Sequence, residues 1–164
     1  MGRKFCESWE KSEIMEKDYP LQFDGEFVLT KNGSKDFGEI SQEIASEIHR
    51  QAGKIRLRRG IEIKGHKGNF GAAHIEREKR LTDLKNVGFE NARDFVEYVC
   101  MDFDSIYNNG KSLIICKTDK QMSIAYVELT PAPDGDFYDV KTATPIRSDF
   151  FKNKTPLWSN QNGD

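Results

Sequence analysis

The residues able to move protons and hold phosphate gather in one part of this 164-residue sequence. GHKGNFGAAHIEREKR, residues 65–80, carries His66 and His74 within a basic run, with Gly65, Gly68 and Gly71 at a spacing of three. Imidazole has an unperturbed pKa of about 6.5, so a histidine beside a phosphate suits general acid or base work. His74 is the first candidate, and His66, in the glycine-flanked loop, is its rival. Backbone N–H groups at a helix start attract phosphate, and Lys64 and Lys67 flank those glycines. Upstream, KIRLRRGIEIK (54–64) alternates, so that Arg56 and Arg58 share one strand face and are either solvated or aimed at an anion. Downstream, Tyr138, Thr142 and Thr144 are read as one strand face that sets a ring and two hydroxyls along a nucleotide, with β-propensity as the alternative. His49, at a helix C-terminus, is read as a charge-compensating residue.

Charge distribution supports an anionic partner. Residues 50–80 hold ten Lys or Arg against three Glu, which leaves fifteen basic and twenty-four acidic residues elsewhere. A local +7 thus sits on a body of −9 while the net charge is only −2. That asymmetry fits a polyanion site, or a solvated charged face. The glycine spacing matches neither GxxxxGK[ST] nor GxGxxG, so no nucleotide cofactor is expected. No HExxH or paired-acid motif is present, and no metal is expected. Cys6, Cys100 and Cys116 lack CxxC spacing, and the last two lie in apolar contexts that suit buried free thiols.

The elements that must position these residues follow from periodicity. Residues 1–20 read as a lead-in segment too charged for a signal peptide. No apolar run is long enough for a membrane span, and the expected place of action is the cytoplasm. GEFVLT (25–30) reads as a strand. Ile40, Ile44 and Ile48, after capping-box spacing from Asp36 to Glu39, predict a helix over 38–51. The alternating 54–64 segment predicts a strand that buries Ile55, Leu57, Ile61 and Ile63, with a bend at Gly60. A second helix is predicted over 70–85, with Phe70, His74, Arg77, Leu81 and Leu84 on one stripe and Glu76 solvated beside it. Asn91 caps a third helix whose stripe runs Ala92, Phe95, Val96, Val99, Phe103, Ile106. A meander of 112–117, 122–130 and 137–145 follows. An aromatic tail then packs back, and 159–164 fray. The expected fold is α+β, one domain over 21–158, with three helices on a mainly antiparallel, curved sheet.

Several stretches in this order, KIRLRRG, GNFGAAHIE, GFENARDFVEYV, VELT, YDVKTATPIR and FFKNKTPLW, resemble one family over roughly residues 23 to 158. It comprises the phage and polymorphic-toxin nuclease domains of the barnase, EndoU, colicin and RelE-like superfamily. The resemblance implies a metal-independent ribonuclease that attacks through the 2′-hydroxyl and leaves a 2′,3′-cyclic phosphate. It places the family histidine on His74, the strand arginine on Arg56, the sheet threonine on Thr142 or Thr144, and the basic residue after the last strand on Arg147. Related domains often carry a second histidine where this chain has Lys79, which becomes a substrate contact here. Implied partners are RNA, tRNA among the candidates, and an acidic immunity or antitoxin protein, for a toxin carried by a phage or within a larger secreted protein. Alternative readings are a nucleic-acid-binding module without chemistry, or an interaction domain of a phage or delivery particle.

Overall fold

The computed structural model describes residues 21–160. Along the chain run β1 (Phe23–Asp24), β2 (Phe27–Val28), β3 (Gly38–Ile40), α1 (Gln42–Ile48), β4 (Gly53–Arg56), α2 (Gly71–Ile75), α3 (Glu78–Asn86) and α4 (Ala92–Met101). Then come β5 (Ser105–Asn109), β6 (Ser112–Lys117), β7 (Ser123–Thr130), β8 (Phe137–Pro145) and β9 (Trp158–Ser159). β1 and β2 form a small hairpin, and the other strands build one curved sheet in the order β3-β4-β8-β7-β6-β5-β9. Its neighbours are antiparallel except β4 and β8, where Ile55 and Arg56 lie parallel to Tyr138 and Asp139. The class is thus α+β with a mixed sheet. Among the described residues no helix is long and apolar enough to cross a membrane.

The main core lies between one sheet face and the helices. Phe95, Val96, Val99 and Cys100 of α4 pack with Ile55, Ile115, Ala125, Val127, Val140 and Ala143 of the strands. Asn91 caps α4 as its sequence predicts, accepting from the Asp94 N–H at 2.8 Å. A smaller cluster of Ile114, Cys116, Ile124 and Phe151 covers part of the opposite face. Phe151 stacks on Tyr107 there at 3.6 Å, so the aromatic tail does fold back.

Four predicted elements differ. Gly38–Ile40 is a strand rather than the start of a helix, and α1 begins after Ser41, whose Oγ accepts from Ile44 N. A β-carbon at position 38 would overlap the Cys100 carbonyl, so glycine there serves close backbone packing. The 54–64 strand leaves the sheet after Arg56, and Ile61 and Ile63 are exposed rather than in the core. The 70–85 helix breaks into α2 and α3 because Arg77 is extended, giving four helices among the described residues where three are expected. Phe103 and Ile106 continue the spacing of α4, yet the chain has already turned into β5, whose hairpin with β6 closes at Gly110. That strand is hidden because Ile106, its first apolar residue, keeps a helical interval from Val99 and Phe103.

Ser159, predicted to fray, pairs with Ser105, and the Asn160 N–H donates to the Asp104 carbonyl. The lead-in segment 1–20 and residues 161–164 lie outside the described residues.

Candidate active site

Glycines build the loop that carries the site. Gly60 (φ 74°) and Gly71 (φ 79°) pass back to back, and a β-carbon on Gly60 would overlap the Phe70 carbonyl. The crossing spends the N–H groups expected to cradle phosphate. Phe70 N donates to the Ile61 carbonyl, Ala72 N to that of Arg58 at 3.0 Å and Ala73 N to that of Arg59 at 2.9 Å. Lys64, His66 and Lys67 instead sit exposed at the loop tip, held by paired bonds between Asn69 and Ile63.

This crossing delivers His74 to Glu62. His74 Nδ1 lies 2.7 Å from Glu62 Oε1. His74 Nε2 lies 3.1 Å from Arg77 Nη1, which also donates to the His74 carbonyl at 2.6 Å. A guanidinium only donates, so the Nε2 it faces must carry the lone pair and the proton must sit on Nδ1, directed at Glu62. The imidazole is about a fifth exposed, open to a ligand yet held on both nitrogens. Burial pulls the Arg77 pKa down, as does the neighbouring Arg80, and Glu62 offsets part of this. Arg80 reaches Thr144 Oγ1 at 3.3 Å and Asp83 at 3.5 Å. Side-chain contacts therefore run from Glu62 through His74 to Arg77 and, separately, from Arg80 to Thr144, the two sets joined by the Arg80 N–H donating to the Arg77 carbonyl at 2.7 Å.

The break between α2 and α3 has its own anchor. Glu76, expected in solvent, is 7% exposed. Its Oε2 accepts from the Ala92 N–H at the start of α4 at 2.7 Å, while Oε1 is buried without a partner. Burial raises its pKa to about 7, against smaller lowering effects from that N–H and from Lys85.

A bulge decides which strand residues face the site. Val127 pairs with Val140 and Tyr126 with Thr142, which leaves Lys141 as the extra residue of β8. Tyr138 and Val140 consequently face the core, whereas Thr142 and Thr144 face the other side with Asp139. The expected common face of Tyr138, Thr142 and Thr144 does not form. Tyr138 is buried, and its hydroxyl donates to the Gln51 carbonyl at 2.7 Å.

The remaining candidates do not converge. Arg56 donates to Asp36 at 2.8 Å and lies 3.5 Å from Asp134. Arg58 donates to fully buried Asp139 at 2.6 Å, meets Glu26 at 3.3 Å and stacks 4.2 Å over the Phe70 ring. Lys141 is the second cation on Asp139, at 3.1 Å. Arg56 and Arg58 are therefore occupied by carboxylates of the protein itself. Arg147 is 89% exposed beside Asp149. It lies past the end of β8, whereas Arg56 is opposite Asp139 near the start; six residues of strand, roughly 20 Å, separate Asp139 from Pro145 alone. Lys79 is exposed on α3.

Sequence reasoning missed Glu62, Arg80 and the role of Glu76. Only Arg77 carried a signal, three residues after His74 on the same stripe. Cys100 and Cys116 are buried free thiols, and burial pushes Cys100 up to about 12. No group of three or more His, Cys, Asp or Glu side chains among the described residues is arranged to hold a metal ion. Compared with protein-family models, curated proteins and solved structures, the chain matches none.

Proposed function

We propose that the protein is a metal-independent endoribonuclease of the toxin type its sequence resembles, with His74 as the proton-transfer group. The observation that carries this reading is the doubly held imidazole, Nδ1 at 2.7 Å from Glu62 and Nε2 at 3.1 Å from Arg77. Glu62 fixes the tautomer and stabilises the imidazolium that forms when Nε2 takes the 2′-hydroxyl proton. The 2′-oxygen bonds to phosphorus, the P–O5′ bond breaks, and the 5′-oxygen leaves with a proton from water. Arg77 and Arg80 neutralise the charge that gathers on the phosphorane, the kind of stabilisation that usually contributes most. Thr144, whose hydroxyl donates to the Pro145 carbonyl at 3.0 Å, steadies Arg80 by accepting from it at 3.3 Å. The basic 50–80 run draws in RNA and offers an acidic immunity or antitoxin protein a matching surface. Its work is cytoplasmic, after carriage by a phage or a larger secreted protein.

A second reading, a nucleic-acid-binding or phage-delivery interaction module, draws on Arg77 covering the very nitrogen that chemistry needs. Wild type and His74→Ala are incubated with end-labelled RNA in EDTA, and the fragment termini are analysed. Cyclic-phosphate ends from wild type alone are the expected result. Intact RNA in both lanes overturns the nuclease, and a gel shift on the same samples then tests the binding module.

A further inference from the structure

Arg77 is an unbalanced cation. Among the described residues its side-chain hydrogen bonds run only to His74, at Nε2 and at the carbonyl oxygen. Burial and the neighbouring Arg80 both act against its charge, and Glu62 offsets only part of this. Arg80 in turn is loosely held, 3.5 Å from Asp83 with both side chains more than two-fifths exposed, and it donates to the Thr144 hydroxyl, which itself donates to the Pro145 carbonyl at 3.0 Å. Arg80 thus follows Arg77 at the start of α3, its backbone N–H donating to the Arg77 carbonyl at 2.7 Å, and among the described residues no carboxylate is bonded to both guanidinium groups. An oxyanion there would replace repulsion with charge-assisted bonds, for which guanidinium geometry is suited. Arg77 spends Nη1 on the imidazole, a neutral acceptor that a phosphate oxygen outcompetes.

We propose that Arg77 and Arg80 form a subsite for a phosphodiester, and that filling it draws Arg77 off His74 Nε2. The base is covered while the site is empty and bared when a phosphate is seated. This deepens the nuclease reading and rests on it for the identity of the ligand, but the cover itself is a property of the resting protein. It also explains why the imidazole is held on both sides without a second histidine nearby. Arg77 then has two successive partners, and the second arrives with the substrate.

Nitrogen-15 spectra of the His74 ring in mildly alkaline buffer test this directly, with a 2′-deoxy dinucleotide as probe, since it presents a phosphodiester but no nucleophile. The resonance of Nε2 is expected to move, saturably, toward that of a bare imine nitrogen while Nδ1 keeps its proton. In Arg77→Gln it should start near that position and stay there, with the dinucleotide bound roughly tenfold more weakly. Arg80→Gln should weaken binding by a similar factor from an unchanged starting resonance. An unmoved Nε2 at saturating dinucleotide, or an equal shift in Arg77→Gln, overturns the proposal. A response to inorganic phosphate without one to the dinucleotide overturns the phosphodiester assignment. Should the dinucleotide shift occur while RNA stays intact in the cleavage assay, the subsite stands and the nuclease reading is what fails.

Discussion

Glu62 Oε1 stands 2.7 Å from His74 Nδ1, closing a loop of twelve residues whose ends cross at Gly60 and Gly71. The contact gives an exposed-edge carboxylate a defined task, to hold one tautomer of one ring. The basic run therefore contains its own acidic partner for the imidazole.

From that pair follows a graded loss of activity. His74→Ala is expected to lower RNA cleavage by about 10²–10⁴-fold, the usual scale for a general base. Glu62→Gln keeps the size of the partner but removes its charge, and should cost roughly tenfold to a hundredfold. Single-turnover rates with excess protein measure both, and equal rates for wild type and Glu62→Gln would remove Glu62 from the mechanism.

Glu76 ties the same region to pH. Its carboxyl is raised from 4.5 to about 7 by burial, so between those values the folded protein holds a proton that the unfolded chain has released. Stability from this group is therefore lost as pH rises from about 4.5 to about 7, and is level above and below, by up to roughly 3 kcal/mol. Glu76→Gln cannot ionise and keeps an acceptor for the Ala92 N–H. Measured by urea unfolding at pH values on either side of that window, the variant should gain on wild type by about that amount as pH rises. A constant difference across the window would show that Glu76 titrates normally.

Much of the frame is legible in the sequence, and the reason differs by element. The α4 stripe and its Asn91 cap are local, as are the period-two runs of β6, β7 and β8. The break at Arg77 is not, because its anchor is a hydrogen bond between Glu76 and Ala92, sixteen residues apart. Thr142 and Thr144 were grouped with Tyr138 because strict alternation ignores a bulge, and one extra residue at Lys141 reverses the facing. Arg56 and Arg58 show a harder limit. Their types and strand face are readable, but Asp36, Asp134, Glu26 and Asp139 come from distant segments and claim both guanidinium groups. His74 was legible as a residue, whereas Glu62 looked like one more charge in a charged run.

Asp139 and Arg58 carry a prediction about stability rather than rate. Asp139 is fully buried with one oxygen unpartnered, and removing it takes the shorter of two carboxylate contacts from Arg58, leaving Glu26 at 3.3 Å, and takes the partner of Lys141. Asp139→Ala is expected to cost about 3–5 kcal/mol, as for other broken buried ion pairs. Arg58→Met should also destabilise, while the cleavage rate per folded molecule stays unchanged. Urea midpoints combined with active-fraction rates separate the two effects. A large rate loss in stably folded Arg58→Met would return this arginine to the substrate site.

The evenly spaced glycines of the basic loop are unequal in consequence. Gly65 has φ 82° with open space around its missing β-carbon, so Gly65→Ala pays only the left-handed backbone penalty, about 1–2 kcal/mol. Gly60→Ala meets the same penalty at φ 74° and drives a methyl into the Phe70 carbonyl and toward Gly71, all of it backbone that cannot swing aside. The second cost should exceed the first by at least about 2 kcal/mol, read as a difference in urea midpoints. Because the crossing places His74 against Glu62, a Gly71→Ala protein that still folds should lose cleavage as well. Gly65→Ala should keep it. Equal effects at the two positions would mean that the crossing can relax without moving the imidazole.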